Sequence, residues 1–151
     1  MARNLEGKHG SYFEATLQLR DVSQEVIDFA EDEIDRLKMN VAKVIKLKNG
    51  LDYLLTDNTL TRRIGRNLQS KFGGKTEETS SLWGVKKDRE VYRVTVLFRG
   101  VPFKKNDIVI YQGEEYQVKF LGKDIMLQNT KTGKKVHIKY KDMKNIKKKE
   151  L

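Results

Sequence analysis

Three arginines, Arg62, Arg63 and Arg66, are the side chains of this chain whose type and spacing are best suited to binding phosphate. Residues four positions apart on a helix lie one turn apart on the same face, so Arg62 and Arg66 can contact neighbouring phosphates. A guanidinium group presents a planar fork of N–H donors that matches phosphate oxygens. No acidic residue lies between Asp57 and Glu77. The sequence therefore favours a helix face that binds a nucleic-acid backbone over the alternative, an ordinary solvated helix.

A second set of cations lies on a predicted strand. Residues 88–99 alternate between apolar and polar side chains, which is typical of a strand that packs one face on a core. The polar side meets solvent or a partner, and it carries Arg93 and Arg99. A rigid sheet that displays arginines, in a chain with a formal net charge of +10, points toward RNA.

Lysines are frequent in the last third of the chain. Their mobile charges would add affinity for RNA phosphates without recognising particular bases. Trp83 is predicted either to contact a base or a partner protein, or to plug one end of the sheet, and the sequence leaves these readings open. The predicted RNA-binding residues are Arg62, Arg63, Arg66, Lys71, Lys75, Arg93, Arg99, Lys131, Lys134, Lys135 and Lys139.

The sequence holds no recognisable catalytic or metal-binding pattern. The segment Gly73-Gly74-Lys75-Thr76 lacks the earlier glycine of a phosphate-binding loop and follows a predicted helix, so it is interpreted as a helix cap. His9 and His137 are far apart in the sequence, and the chain contains no cysteine. The carboxylates between residues 31 and 35 point in different directions on a helix and are expected to be solvated. We therefore expect no enzymatic activity, no cofactor, no metal and no small-molecule substrate.

The charge of the chain is unevenly distributed. Residues 1–60 carry a formal charge of −3, residues 61–100 carry +6 and residues 101–151 carry +7. A basic surface concentrated in this way, with a pI of about 9.7, favours an acidic partner. The sequence has no apolar segment long enough to span a bilayer and no apolar region typical of a secretion signal, so we expect a cytoplasmic protein without a membrane partner.

The pattern of predicted strands and helices indicates an α+β fold. Residues 1–100 are predicted to form a mixed α/β domain with one sheet and two helices. The first helix begins after a cap at Asp21 or Ser23, and the second after a cap at Asn58 or Thr59. The predicted strands are 12–20, 41–48 and 51–55 around an Asn49-Gly50 turn, and 75–82 and 89–99 joined across Trp83-Gly84.

Gly100-Val101-Pro102 contains the one proline of the chain and predicts a domain boundary. Beyond it, short strands at 107–111, 115–121, 124–129 and 135–140 are separated by tight turns. This pattern predicts a small all-β SH3-like barrel over residues 101–151. It ends in a basic tail, residues 147–151, that we expect to be frayed.

Four segments resemble the part of the Nmd-three family that follows its zinc modules. They are Ser11–Arg20, Gly50–Tyr53, Leu68–Gly74 and Asp88–Arg99. The Tyr-Arg-Val-Thr-Val run and the Gly-x-Asp-Tyr motif are fairly specific together, and the similarity extends from about residue 12 to residue 146. The chain lacks the Cys-x-x-Cys zinc modules and the acidic, leucine-containing tail of eukaryotic members. This difference favours a fragment or a short archaeal relative.

The resemblance implies a ribosomal-protein-like α/β domain followed by barrel modules, and binding to the intersubunit face of the large ribosomal subunit. The family is named for nonsense-mediated decay, and its eukaryotic members are nuclear-export adaptors for that subunit. The implied partners are the large subunit, ribosomal RNA and neighbouring ribosomal proteins. We expect a non-enzymatic RNA- and ribosome-binding factor in large-subunit maturation. The alternative is a protein-interaction scaffold in which the small barrel and its tyrosines bind a peptide.

Overall fold

The structure, a computed structural model, describes residues 12–86 and 89–149, without the side chains of residues 85–90. His9, Ser11, Asp88 and the last two residues of the predicted tail lie outside the described residues. The helices are α1 (Gln24–Arg36) and α2 (Asn58–Phe72), with a 3-10 helix at Tyr140–Asn145. The strands are β1 (Ala15–Arg20), β2 (Val41–Leu47), β3 (Gly50–Leu55), β4 (Lys75–Lys86), β5 (Arg89–Arg99), β6 (Ile108–Tyr111), β7 (Glu114–Leu121), β8 (Ile125–Asn129), β9 (Lys135–Ile138) and β10 (Ile146–Lys148).

The first sheet has the order β2-β3-β1-β5-β4, with β1 and β5 parallel and the other pairs antiparallel. Its core face carries the alternate residues of each strand, such as Leu17 opposite Val96, and the apolar stripes of α1 and α2 cover that face. Gly65 lets α2 approach closely, since a Cβ at this position would lie 2.5 Å from Val96 Cγ1. The predicted mixed α/β unit with one sheet and two helices is confirmed.

The two helix caps differ in how well the sequence predicted them. Ser23 caps α1 by accepting a hydrogen bond from the Val26 N–H. The cap of α2 is Asp57, whose Oδ1 accepts from the Leu60 N–H at 2.8 Å, so the predicted caps at Asn58 or Thr59 are wrong. The reason is that the Asn58 side chain bonds the backbone of β5 instead.

The predicted break between β4 and β5 at Trp83-Gly84 is also wrong. β4 continues to Lys86, and the register shifts between Leu82, which pairs with Tyr92, and Gly84, which pairs with Val91. Trp83 is therefore the extra residue of a β-bulge.

The second sheet is antiparallel, with the order β10-β6-β7-β8-β9, and it encloses its own apolar cluster. The predicted SH3-like barrel is not confirmed, because no sheet in the described residues closes. The short 3-10 helix lies between β9 and β10 in the chain, and its Tyr140 and Met143 are buried in the apolar cluster. Within the predicted tail, Lys147 and Lys148 pair with β6, so the expectation of fraying is wrong there. The division at residues 100 and 101 stays a prediction.

Two acidic residues of α1 are buried, so the prediction of a fully solvated acidic face is wrong for them. Glu31 is fully buried and accepts a hydrogen bond from the Tyr53 hydroxyl at 2.6 Å. Glu33 accepts from Arg36 Nε at 2.6 Å and from Asn67 Nδ2 at 2.8 Å, and these donors hold its pKa below its usual range. These bonds connect α1 to β3 and α2.

Within the described residues, neither helix is long and apolar enough to cross a membrane.

Candidate nucleic-acid interface

Helix α2 presents its cations outward because its apolar side chains pack inward. Ile64 and Leu68 are fully buried against the sheet together with Gly65, which leaves other positions of the helix to point away from it. Arg63 and Arg66 are accordingly exposed on the outer side of α2. The predicted cationic face of α2 therefore exists as a surface, with Arg62 half-buried at its margin.

The C-terminal end of α2 contacts the second sheet through Tyr140. The Tyr140 hydroxyl donates to the Gly122 carbonyl at 2.7 Å, in the turn between β7 and β8. A Cβ at Gly73 would lie 2.4 Å from the Tyr140 oxygen, so only glycine fits at the end of α2. Burial raises the pKa of Tyr140, and the nearby Gly74 N–H partly offsets that rise. Tyr140 thus fixes the β7–β8 turn against the end of α2.

This contact leaves a cleft of about 480 Å³ between α2 and the β7–β8 turn, which we call the junction cleft. Its lining residues are Arg66, Gln69, Ser70, Gly122 and Lys123, none of which is acidic. Gln69 Nε2 donates to the Gly74 carbonyl at 3.2 Å, which orients its side chain along the wall. A cation on α2 and a cation in the β7–β8 turn, together with a neutral amide and a hydroxyl, form a setting that suits an anionic oxygen.

Lys123 is the cation of this cleft that was not predicted from the sequence. Its one sequence signal is its place directly after Gly122 in a predicted turn, and a turn lysine is usually only a solvated charge. Its position opposite Arg66 depends on the packing of Tyr140, which joins parts of the chain that are distant in sequence.

Four of the predicted RNA-binding cations on α2 and the first sheet have carboxylate neighbours that reduce their availability. Arg63 lies close enough to Glu33 to contribute to the lowered pKa of that carboxyl. Exposed ion pairs of this kind are weak and screened by salt, so they attenuate the positive potential without abolishing it. The other three pairs are Arg62–Glu78 at 3.5 Å, Lys75–Glu77 at 2.7 Å and Arg99–Asp21 at 2.6 Å.

The structure does not bring the cations of α2 and β5 together. Val94, Val96 and Phe98 face the helices, so Arg93 and Arg99 lie on the opposite face of the sheet. Lys75 pairs across the strands with Arg99 and shares that face. The predicted set is thus divided between the helix-covered side and the open side of the sheet.

The lysines of the second sheet are divided as well. Lys131 and Lys134 are exposed in the β8–β9 turn and Lys135 is exposed at the start of β9, at the end of the sheet away from the junction cleft. Asn129 shapes this turn by accepting hydrogen bonds from the backbone N–H groups of residues 131 and 132. Lys139 follows β9 at the other end, where β9 pairs with the start of β8, and it is exposed on the junction side.

The remaining predicted contacts have other neighbours. Lys71 Nζ lies over the Phe29 ring, 4.8 Å from its centroid, at the seam of α1 and α2. Trp83 is exposed beside Arg93. Tyr116 and Tyr140 are buried in the second cluster, so they do not line the peptide groove that the scaffold alternative requires.

No cluster of three or more metal-ligating side chains exists within the described residues. His137 is exposed, as predicted for a surface strand histidine, with its Nδ1 3.1 Å from Asp124 Oδ1.

Comparison with known proteins matches this chain to a protein family. A family model described as "NMD3, second domain" matches residues 12–99, which is more than half of the chain. A search of curated proteins finds no match. The matched range includes the whole first sheet, both helices and the cations of α2 and β5.

Proposed function

This chain belongs to the NMD3 family, and from that premise we propose that it binds the large ribosomal subunit through ribosomal RNA. The resemblance of the sequence to the Nmd-three family is confirmed by the match. Membership indicates a role in ribosomal subunit export or biogenesis, since the family is a ribosome-associated adaptor family rather than an enzyme family. The finer proposal is a non-enzymatic factor of large-subunit maturation that acts in the cytoplasm. It would bind at the intersubunit face, next to neighbouring ribosomal proteins.

The junction cleft is the observation that carries the RNA-binding part of this proposal. Arg66 approaches it from α2 and Lys123 from the β7–β8 turn, and its lining residues include no carboxylate. A phosphate in the cleft would receive a guanidinium fork from one wall and an ammonium group from the other. By contrast, the predicted cations Arg62, Lys75 and Arg99 each form an ion pair with a carboxylate.

The packing of the junction positions the backbone on both sides of this cleft. Because Tyr140 holds the β7–β8 turn against the end of α2, the backbone positions that carry Arg66 and Lys123 are set before RNA binds. Binding then does not have to order the β7–β8 turn. Arg63 on α2 and Lys139 beside the junction extend the same side of the molecule, and they would add weaker contacts to the backbone.

The test is co-sedimentation with purified large subunits, with affinity measured over a series of salt concentrations. Each phosphate contact contributes about −0.7 to −0.9 to the slope of log affinity against log salt. The double variant Arg66→Glu/Lys123→Glu should weaken binding and make the slope less negative by about 1.4 to 1.8, because two contacts are lost. The matched control is Lys43→Glu/Lys48→Glu, which changes the net charge equally at exposed positions near the opposite edge of the first sheet.

Equal weakening by the two double variants would show that net charge alone governs binding and would contradict a role for the cleft. Binding that persists unchanged after nuclease digestion of the subunit RNA would instead support a protein partner. A melting temperature close to that of the parent protein in both variants is the control for folding.

A further inference from the structure

The hairpin formed by β4 and β5 extends beyond the rest of the first sheet. The first residue of β1, Ala15, pairs with Val94, so β1 does not reach the preceding part of β5. We call the extending part, residues 80–86 and 89–93, the β-arm. Asn58 anchors its base, because its amide donates to the Tyr92 carbonyl at 2.9 Å and accepts from the Val94 N–H at 3.3 Å.

Arg93 is clamped between two aromatic rings at the base of the β-arm. Its guanidinium carbon lies 4.1 Å from the centroid of the Phe13 ring and 4.1 Å from that of the Trp83 ring. Its Nε atom is buried and makes no hydrogen bond to any described residue. The bulge turns Trp83 toward Arg93, so the cation supports the indole from beneath.

Large apolar side chains are exposed on and beside the β-arm. Leu82, Trp83, Tyr92 and Tyr12 have exposed fractions of 55%, 44%, 43% and 47%. They are four of the six large apolar residues exposed in the described part of the chain. Tyr12 lies 5.9 Å from Trp83, between ring centroids, at an angle of 50°. Trp83 and Tyr12 lie on the face of the β-arm that carries Arg93, whereas Leu82 and Tyr92 pair with each other on the opposite face. Trp83 and Tyr12 are therefore the exposed apolar part of the surface beside Arg93.

We propose that Trp83, supported by Arg93 and flanked by Tyr12, stacks on an unpaired base of RNA. This inference rests on the proposed function and names a second contact for the same partner. A base needs only an accessible aromatic face, which a projecting hairpin supplies, whereas a bound peptide needs a groove. The formal charge of this segment also suits RNA, since residues 82–93 contain four basic and two acidic side chains. Glu14, two residues after Tyr12, accepts hydrogen bonds from the Tyr12 hydroxyl at 2.9 Å and from the Asn58 N–H at 3.0 Å, so both of its carboxylate oxygens bond to the protein.

Trp83 is the one tryptophan of the chain, so its fluorescence reports on this site alone. The test titrates the full chain with a twelve-nucleotide oligoadenylate and with an abasic oligonucleotide that has the same number of phosphates. Oligoadenylate should quench the fluorescence, and the abasic strand should not. In anisotropy with labelled strands, Trp83→Ala should weaken oligoadenylate binding by about 5- to 150-fold, the range for loss of one base–aromatic stack, and leave abasic binding unchanged.

Two further variants make the test specific. Trp83→Phe keeps an aromatic face and should retain most of the affinity. Leu82→Ala removes an adjacent side chain of greater exposure and should leave the affinity unchanged.

Oligoadenylate that leaves the Trp83 fluorescence unchanged, whether or not it binds, would overturn the stacking inference. The proposed function would still be tested separately, by co-sedimentation of the Arg66→Glu/Lys123→Glu variant with large subunits. If Trp83→Ala lost only co-sedimentation and never oligoadenylate affinity, the β-arm would contact a protein, and the stacking inference would again be wrong.

Discussion

Replacing Gly73 by alanine should loosen the joint between the two sheets. Gly73 ends α2 with φ of 72° and ψ of −153°, a backbone region that is essentially restricted to glycine. A Cβ at this position would also lie 2.4 Å from the Tyr140 oxygen and 3.0 Å from its Cζ. The substitution therefore combines backbone strain with a steric clash against the residue that positions the β7–β8 turn.

The two contributions can be separated by comparison with Gly113. This residue also has a positive φ, 79°, but a Cβ there would meet nothing within 4 Å. Gly113→Ala should cost about 1–2 kcal/mol of unfolding free energy from backbone strain alone. Gly73→Ala should cost about 2–6 kcal/mol, because strain of about 1–3 kcal/mol is added to overpacking of about 1–3 kcal/mol.

Urea unfolding followed by circular dichroism measures both losses. Tyr140→Phe alone should cost about 1 kcal/mol, because the Gly122 carbonyl loses its donor. In the double variant with Gly73→Ala, the closest clash is absent, so the loss should be smaller than the sum of the single losses by about 0.5–3 kcal/mol. Equal losses for Gly73→Ala and Gly113→Ala, or strict additivity with Tyr140→Phe, would refute the packing of Tyr140 on the end of α2.

Two further predictions concern the acids of α1. Because Arg36 and Asn67 lower the pKa of Glu33, its carboxylate contributes stability that is fully present above about pH 4.5 and is lost as the pH falls through the lower folded-state pKa. Glu33→Gln should thus be less stable than the parent at pH 7, and the difference should vanish in acid unfolding curves; a difference that persists in acid would contradict the ion pair. Tyr53→Phe should cost about 1–3 kcal/mol in thermal or urea unfolding, since it removes the donor 2.6 Å from the buried Glu31 carboxylate. A loss below a few tenths of a kcal/mol would show that other neighbours satisfy this oxygen.

The sequence predicted the elements of the first sheet well because their signals are local. Apolar alternation in β1 and β5, the four-residue spacing of the α2 stripe and the Asn49-Gly50 turn each depend on neighbouring residues. Gly73 was likewise predicted as the end of α2, and the structure confirms it.

The errors arose where a distant partner decides the local structure. Glu31 of α1 was predicted to be solvated because helix periodicity cannot reveal its bond to the hydroxyl of Tyr53, which lies on β3. β10 was not predicted because its segment, Ile146–Lys148, is short and contains two lysines, which have little strand propensity. This segment forms a strand by pairing with β6, which is distant in the sequence. Lys123 belongs to the same class, since its role in the junction cleft depends on Tyr140.

The separation of the two proposed contacts would constrain an RNA that occupies both. The junction cleft includes Arg66 and Ser70 of α2, and the β-arm is anchored by Asn58 at the N-terminal end of the same helix. Asn58 lies 8 positions before Arg66 and 12 before Ser70, which is about 12–18 Å along the helix. Arg93 and the supported Trp83 lie on the side of the sheet away from α2, whereas Arg66 lies on α2 itself. One short straight strand cannot follow both surfaces, so an RNA that occupies both must bend around the sheet or supply two segments. A folded RNA surface such as that of a ribosomal subunit meets this requirement better than an isolated duplex does.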